Sequence, residues 1–144
     1  MANTTPSRED YLEVILELTR QGESARSIDI ASALGYSRAS VSRAVGLLKR
    51  DGFIEQEPYG QVTLTPLGME KALSVRRRHD LLKYYLLHII EVDEATAEDD
   101  ACRMEHVVSN VTLKKMEEQS VRHMEKFHPE QHQLFSQANS KPKE

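Results

Sequence analysis

The sequence predicts a mainly α-helical protein, and three observations carry that prediction. Apolar residues recur at helical spacing through most of the chain, as in Leu12, Ile15 and Leu16, in Val41, Ala44, Val45 and Leu48, and in Ala72, Val75, Leu82 and Leu86. A single stretch reads as paired strands, Phe53 to Glu57 and Gln61 to Leu64, separated by the turn residues Pro58, Tyr59 and Gly60. Helix stops and starts fall between the periodic segments at Gly22, at Gly35 before Ser37, at Asp51 with Gly52, at Thr65 with Pro66, and at Pro129.

With 144 residues, 39% hydrophobic and 29% charged, the chain can bury one core or two small ones, as soluble globular proteins do. No run approaches the ~18 apolar residues of a membrane span, and the opening Met-Ala-Asn-Thr-Thr-Pro lacks a secretion pattern, so a cytoplasmic protein without membrane contact is expected. The lone cysteine, Cys102, excludes an internal disulfide and leaves a free thiol, a metal ligand or an intermolecular partner. The net charge of −4 hides a segregation. Ser37 to Arg50 holds Arg38, Arg43, Lys49 and Arg50 with no acid, whereas Glu91 to Glu105 holds seven acids against Arg103. One end suits an anionic polymer and the other a cation.

The first helix is expected from about Thr5 or Ser7, with Pro6 tolerated early, to Arg20. Leu12, Ile15 and Leu16 face inward, and Asp10, Glu13, Glu17 and Arg20 form a polar stripe whose default meaning is solvent exposure. Ser27 to Leu34 reads as a short helix with Ile28, Ile30, Ala31 and Leu34 inward. Ser37 opens a basic helix that buries Val41, Ala44, Val45 and Leu48 and shows Ser37, Arg38, Ser40, Ser42 and Arg43 outward, all able to hydrogen-bond phosphates or base edges. Helix, tight turn and basic helix followed by a short hairpin make a winged helix-turn-helix, which implies double-stranded operator DNA as a partner. The expected DNA-contacting set is Ser37, Arg38, Ala39, Ser40, Ser42, Arg43, Lys49 and Arg50 on the helix, with Tyr59 in the wing.

A long helix is predicted from Pro66 to Ile90, with His79 on the apolar stripe that includes Ala72, Val75, Leu82, Leu86 and Ile89. A histidine in that place is usually a satisfied core residue. Asp93 or Thr96 caps the next helix. Taken as helical, Glu98, Cys102, Glu105, His106 and Ser109 share one face, and Ala101, Met104, Val108 and Val111 form an apolar stripe on another. A thiolate, a carboxylate and an imidazole at i, i+3 and i+4 can converge on one divalent ion. The triplet alone reads equally well as a small core cysteine beside solvated Glu105 and His106, so partners elsewhere decide. A last helix begins at Thr112, with Leu113, Met116, Val121, Met124 and Phe127 apolar, and a polar, flexible tail is expected over 131–144.

These pieces together resemble the diphtheria toxin repressor and manganese transport regulator family over about residues 5 to 128. The carriers are Thr5-Pro6-Ser7-Arg8-Glu9-Asp10-Tyr11-Leu12-Glu13, Arg78-His79, and Ala101-Cys102-Arg103-Met104-Glu105-His106 followed by Ser109. The resemblance implies a winged helix-turn-helix over 1–71, an all-helical metal-binding and dimerisation domain over 72–130, and Mn(II) or Fe(II) as cofactor. It implies Asp10, Glu13, His79, Cys102, Glu105 and His106 as metal ligands. In manganese regulators the position of Cys102 holds a glutamate, and in iron regulators that of Asp10 usually holds methionine, so this ligand set is a hybrid. The ancillary glutamate of the iron regulators is replaced here by Lys83, for which Glu98 compensates in part. The residues after the last helix are too few for the SH3-like domain of longer members.

The resulting expectation is a dimeric repressor, activated by Mn(II) or Fe(II), that controls metal homeostasis without being an enzyme or taking a small organic substrate. Two alternatives remain at this point. One is a winged-helix sensor of thiol oxidation through Cys102, and the other is an enzyme using Cys102 with His106, disfavoured by the acidic surroundings of the thiol.

Overall fold

The computed structural model describes residues 8–130, apart from Ser24 and Tyr59. The expected helix start near Thr5 or Ser7, the wing residue Tyr59 and the tail over 131–144 lie outside the described residues. The elements are α1 (Arg8–Arg20), α2 (Ser27–Leu34), α3 (Arg38–Arg50), β1 (Ile54–Gln56), β2 (Val62–Leu64), α4 (Pro66–Tyr84), a π-helical turn (Tyr85–Ile90), α5 (Glu94–Met104) and α6 (Asn110–Phe127). The chain divides into two compact units, Met1–Arg76 and Arg77–Glu144.

In the first unit α1 buries Tyr11, Leu12, Ile15 and Leu16 against Ile30, Val41, Val45, Leu48, Ile54 and Val62. Ile28 departs from expectation, being 51% exposed. It precedes the buried Ile30 by two residues, roughly 200° around a helix, so the two cannot share a face. Gly35 ends α2 in the left-handed conformation at φ 70°, where its N–H donates to Ala31 O, and the chain turns at once into α3. Ser37 caps α3, its Oγ accepting from Ser40 N–H at 3.2 Å.

Strands β1 and β2 pair antiparallel with Ile54 opposite Leu64 and Gln56 opposite Val62. The ladder is shorter than the alternating runs that predict it, because Phe53, Glu57 and Gln61 fall outside it. The Thr65 hydroxyl donates to Gly52 O and accepts from Gly68 N–H, joining the base of the wing to the first turn of α4. A Cβ at Gly68 would stand 1.9 Å from Phe53 O, so only glycine lets α4 start this close to the hairpin.

The second unit packs Leu82, Leu86, Ala97 and Ala101 with the partly buried Met104, Val108, Leu113 and Met116. The predicted uniform helix to Ile90 changes character at Tyr85, where a π-helical turn begins and closes with Glu91 at φ 66° and Val92 N–H donating to Leu86 O. Asp93 caps α5 by accepting from Thr96 N–H.

The predicted helical run through Ser109 is interrupted. Helix α5 ends at Met104, Glu105 is its C-cap, and Ser109 instead caps α6, accepting from Thr112 N–H. A serine competes with the backbone for hydrogen bonds and favours a cap over a helix interior, and the β-branched pair Val107-Val108 adds no helical preference. Helix α6 therefore starts at Asn110 rather than Thr112. The interruption also removes Val111 from the expected apolar stripe, leaving it and Val107 exposed, and Phe127 is exposed at the far end of α6.

Candidate metal centre and nucleic-acid interface

His79 stands in the last turns of α4 and is 3% exposed. Its two ring nitrogens meet different carboxylates: Nδ1 lies 2.9 Å from Glu105 Oε2, and Nε2 lies 3.0 Å from Glu98 Oε1. Glu105 is 1% exposed, and its other oxygen, Oε1, lies 3.1 Å from His106 Nε2. Cys102 brings Sγ to 3.7 Å from His79 Nδ1. His79, Glu98 and Cys102 each offer a ligand atom within 4.8 Å of the other two.

Glu105 keeps helical backbone angles and donates its N–H to Ala101 O, so Glu98, Cys102 and Glu105 share one face, and the chain turns away only after it. Arg78 holds that turn by donating from Nη2 to Val108 O at 2.9 Å, and Arg77 pairs with Glu117 of α6 at 3.0 Å. The segment that bears Arg77 and Arg78 thus bears His79 as well.

The electrostatics follow from the contacts. The hydrogen bond to Glu105 raises the proton affinity of His79 above that of an ordinary histidine, with Glu98 adding and burial opposing. Lys83, with Nζ 2.9 Å from Glu98 Oε2, holds the Glu98 carboxyl below its ordinary value, and His79 adds to that. The same hydrogen bond raises Lys83. A fully buried carboxylate is costly unless paired, and the recorded ion-pair partners of Glu105 among the described residues are the imidazoles of His79 and His106. Two imidazoles, two carboxylates and a thiol gathered at this density fit a first-row divalent cation. Lys83, marked by the sequence only as a departure, proves to hold one of those carboxylates in place.

Of the remaining expected ligands, Asp10 and Glu13 lie one turn apart on α1 in the first unit, both half-buried. The expected DNA-contacting residues Ser37, Arg38, Ala39, Ser40, Ser42, Arg43, Lys49 and Arg50 are all exposed on or beside α3. Arg50 is engaged by Asp51 at 3.3 Å, and Asp51 also pairs with Arg8. Arg8 was not expected in this region. It lines, with Tyr11, Ala39, Ser40 and Arg43, a surface depression of about 430 Å³ beside α3.

The model of the iron-dependent repressor N-terminal DNA-binding domain matches residues 3–62, and that of the iron-dependent repressor metal-binding and dimerisation domain matches residues 65–133. The chain is 41% identical over 106 residues to the HTH-type transcriptional regulator MntR of Bacillus pumilus, covering 74% of this chain and 73% of that protein. It is 34% identical over 118 residues to the diphtheria toxin repressor of Corynebacterium glutamicum, covering 82% of this chain and 52% of the relative, about half its length. The solved structure of the manganese regulator SloR superposes with a TM-score of 0.70 at 27% identity, covering 78% of this chain and 53% of that one. The chain belongs to the diphtheria toxin repressor and manganese transport regulator family, the iron-dependent repressors, whose characterised relatives here are transcriptional regulators.

Proposed function

We propose that this protein is a metal-dependent transcriptional repressor that binds operator DNA as a homodimer when Mn(II) or Fe(II) occupies the centre around Glu105. One observation carries the reading: a fully buried carboxylate shared by His79 and His106, with Cys102 and Glu98 on the adjoining turns. The ion, when bound, supplies positive charge that satisfies the carboxylates and replaces the proton between His79 and its acidic neighbours. Glu105 and His106 orient one side of the set, and Lys83 steadies Glu98 on the other. Asp10 and Glu13, assigned as ligands by the family resemblance, add carboxylates from the DNA-binding unit, so that metal occupancy bears on the recognition helix α3. A coupling of ~1–3 kcal/mol per subunit is enough to change operator occupancy several-fold. The exposed Val107 and Val111 supply apolar surface for the second copy.

Ser37, Arg38, Ala39, Ser40, Ser42 and Arg43 are the proposed readers of the operator, and Lys49 and Arg50 the phosphate contacts. The thiol-sensor alternative finds no support in the matching family models, which describe an iron-dependent repressor with a metal-binding domain, and Cys102 takes the role of ligand. The hybrid ligand set predicts activation by both ions. Cys102→Glu should move the response towards Mn(II), because it replaces the soft donor with a hard one, and Asp10→Met should move it towards Fe(II). Operator binding against buffered free Mn(II) and Fe(II), under anaerobic conditions, tests both parts. Equal operator affinity with chelator and with metal would end the repressor reading, and an unchanged metal ranking in both variants would end the hybrid-site assignment.

A further inference from the structure

A second group of histidines lies in the same unit and takes no part in the centre described above. His88 sits in the π-helical turn, His123 on α6, and His128 at the C-cap of α6, all half-buried around the buried Tyr84. The ring centroids of His88 and His128 are 5.0 Å apart, those of His123 and His128 6.0 Å, and those of His88 and His123 6.1 Å. Three imidazoles on one tetrahedral ion, with metal–nitrogen bonds of about 2.0–2.1 Å, hold their centroids roughly 5 Å apart. One edge of the triangle has that length already, and the other two exceed it by about an ångström.

We infer that His88, His123 and His128 form a second, nitrogen-only metal site, selective for a borderline divalent ion such as Zn(II). One of the rings already carries the outer partner such a site requires: the Tyr84 hydroxyl is 2.8 Å from His123 Nδ1, which reserves Nε2 of that ring for the ion. Glu130 lies near His128, with Oε1 3.8 Å from Nδ1. The three ligand nitrogens do not all lie within 4.8 Å of one another as the rings stand, and rotation about χ2 together with a small shift of the α6 end brings them together. Water fills the fourth position. A shallow depression of about 220 Å³, lined by Asp80, Lys83, Tyr84, Leu87 and His88, opens beside His88.

The donor chemistry separates this site from the first. The Glu105 centre is rich in oxygen and suits Mn(II) or Fe(II), whereas imidazoles without bound carboxylates favour Zn(II), Ni(II) or Cu(II) and leave Mn(II) poorly held. An ion here fastens the end of α6 to the turn that follows α4, so the second unit responds to Zn(II) independently of its response to Mn(II). This inference does not rest on the repressor reading.

Co(II), a spectroscopic substitute for Zn(II), tests the site on the full-length protein. Visible Co(II) titration of the unsubstituted chain should show two signals, one with thiolate-to-metal charge transfer from the Glu105 centre and one tetrahedral band without it from the three imidazoles. The thiolate-free band should survive in Cys102→Ser, lose at least tenfold in affinity in each of the single variants His88→Gln, His123→Gln and His128→Gln, and be displaced by Zn(II). Mn(II)-dependent operator binding should be unchanged in the same histidine variants. An unaltered band in all three histidine variants would overturn the site. Because a variant could fold poorly, the unsubstituted protein crystallised with Zn(II) in excess over both centres gives a second reading: an anomalous peak among the three rings supports the site, and its absence there overturns it.

Discussion

The two units bury their interiors differently. Among the described residues, those buried in Met1–Arg76 are apolar or glycine, whereas the buried polar and charged residues His79, Glu105 and Ser120 all belong to Arg77–Glu144. The first interior can be assembled from transfer free energy alone, at about 25 cal/mol per Å² of apolar surface removed from water. The second carries a carboxylate and an imidazole that cost free energy to bury and are stabilised by one another. The difference teaches where ligand control resides: a unit with an apolar core is stable without a ligand, and a unit that buries acid gains stability when a cation arrives.

The largest expected effect tests that contrast. Glu105→Ala removes the group that both His79 and His106 face, and metal affinity measured by buffered titration should fall on the order of 100-fold or more. Operator binding by the metal-free protein should not change. A Glu105→Ala protein that keeps its metal response would show that the buried acid is only structural.

In the first unit the comparable changes should alter DNA contact and leave metal affinity alone. Arg43→Ala should cost about 1–3 kcal/mol of discrimination between operator and mismatched sequences. Lys49→Ala should weaken binding to all DNA and lower the salt slope by about one unit. Fluorescence anisotropy at several salt concentrations distinguishes the two, and identical behaviour would mean that the reading face of α3 is misassigned.

A smaller effect concerns stability of the first unit alone. Ser37→Ala deletes the cap of α3 and should cost about 1 kcal/mol in chemical denaturation, independent of metal. A cost that grows when metal is added would tie the cap to the second unit and blur the distinction drawn above.

The smallest effect lies within the second unit and sets its two histidine groups against each other in the metal-free protein. Burial, followed by the neighbouring His128 and His123, holds His88 below the ordinary value of 6.5. Its contribution to stability is present above 6.5 and is lost as pH falls through the depressed folded value. His79 is raised, chiefly by Glu105, so its contribution is present below 6.5 and is lost as pH rises through the raised folded value. Thermal melts in chelator across that range should therefore shift in opposite senses for His88→Gln and His79→Gln. The same sign for both would show that one of the two environments is wrong.

Periodicity and stop signals in the chain determined the helix-turn-helix, the wing and the long helix into the second unit, because each depends on local preferences: Gly35 for a left-handed turn, Ser37 for a cap, Pro66 for a helix start. The convergence of Cys102, Glu105 and His106 was legible as well, since they lie one turn apart. The family pattern supplied His79, which an apolar stripe on its own made look like core.

The tertiary structure alone decided what sequence neighbours could not. Helix α5 stops at Met104, where the local cap of Ser109 on the next helix is joined by the hold of Arg78 on Val108 O, and only the second is a contact distant in the chain. The pairing of Lys83 with Glu98 and the assembly of His88, His123 and His128 around Tyr84 bring together residues of different elements. Spacing along one helix encodes only what that helix can align, so groups that meet through packing become visible only when the chain is folded.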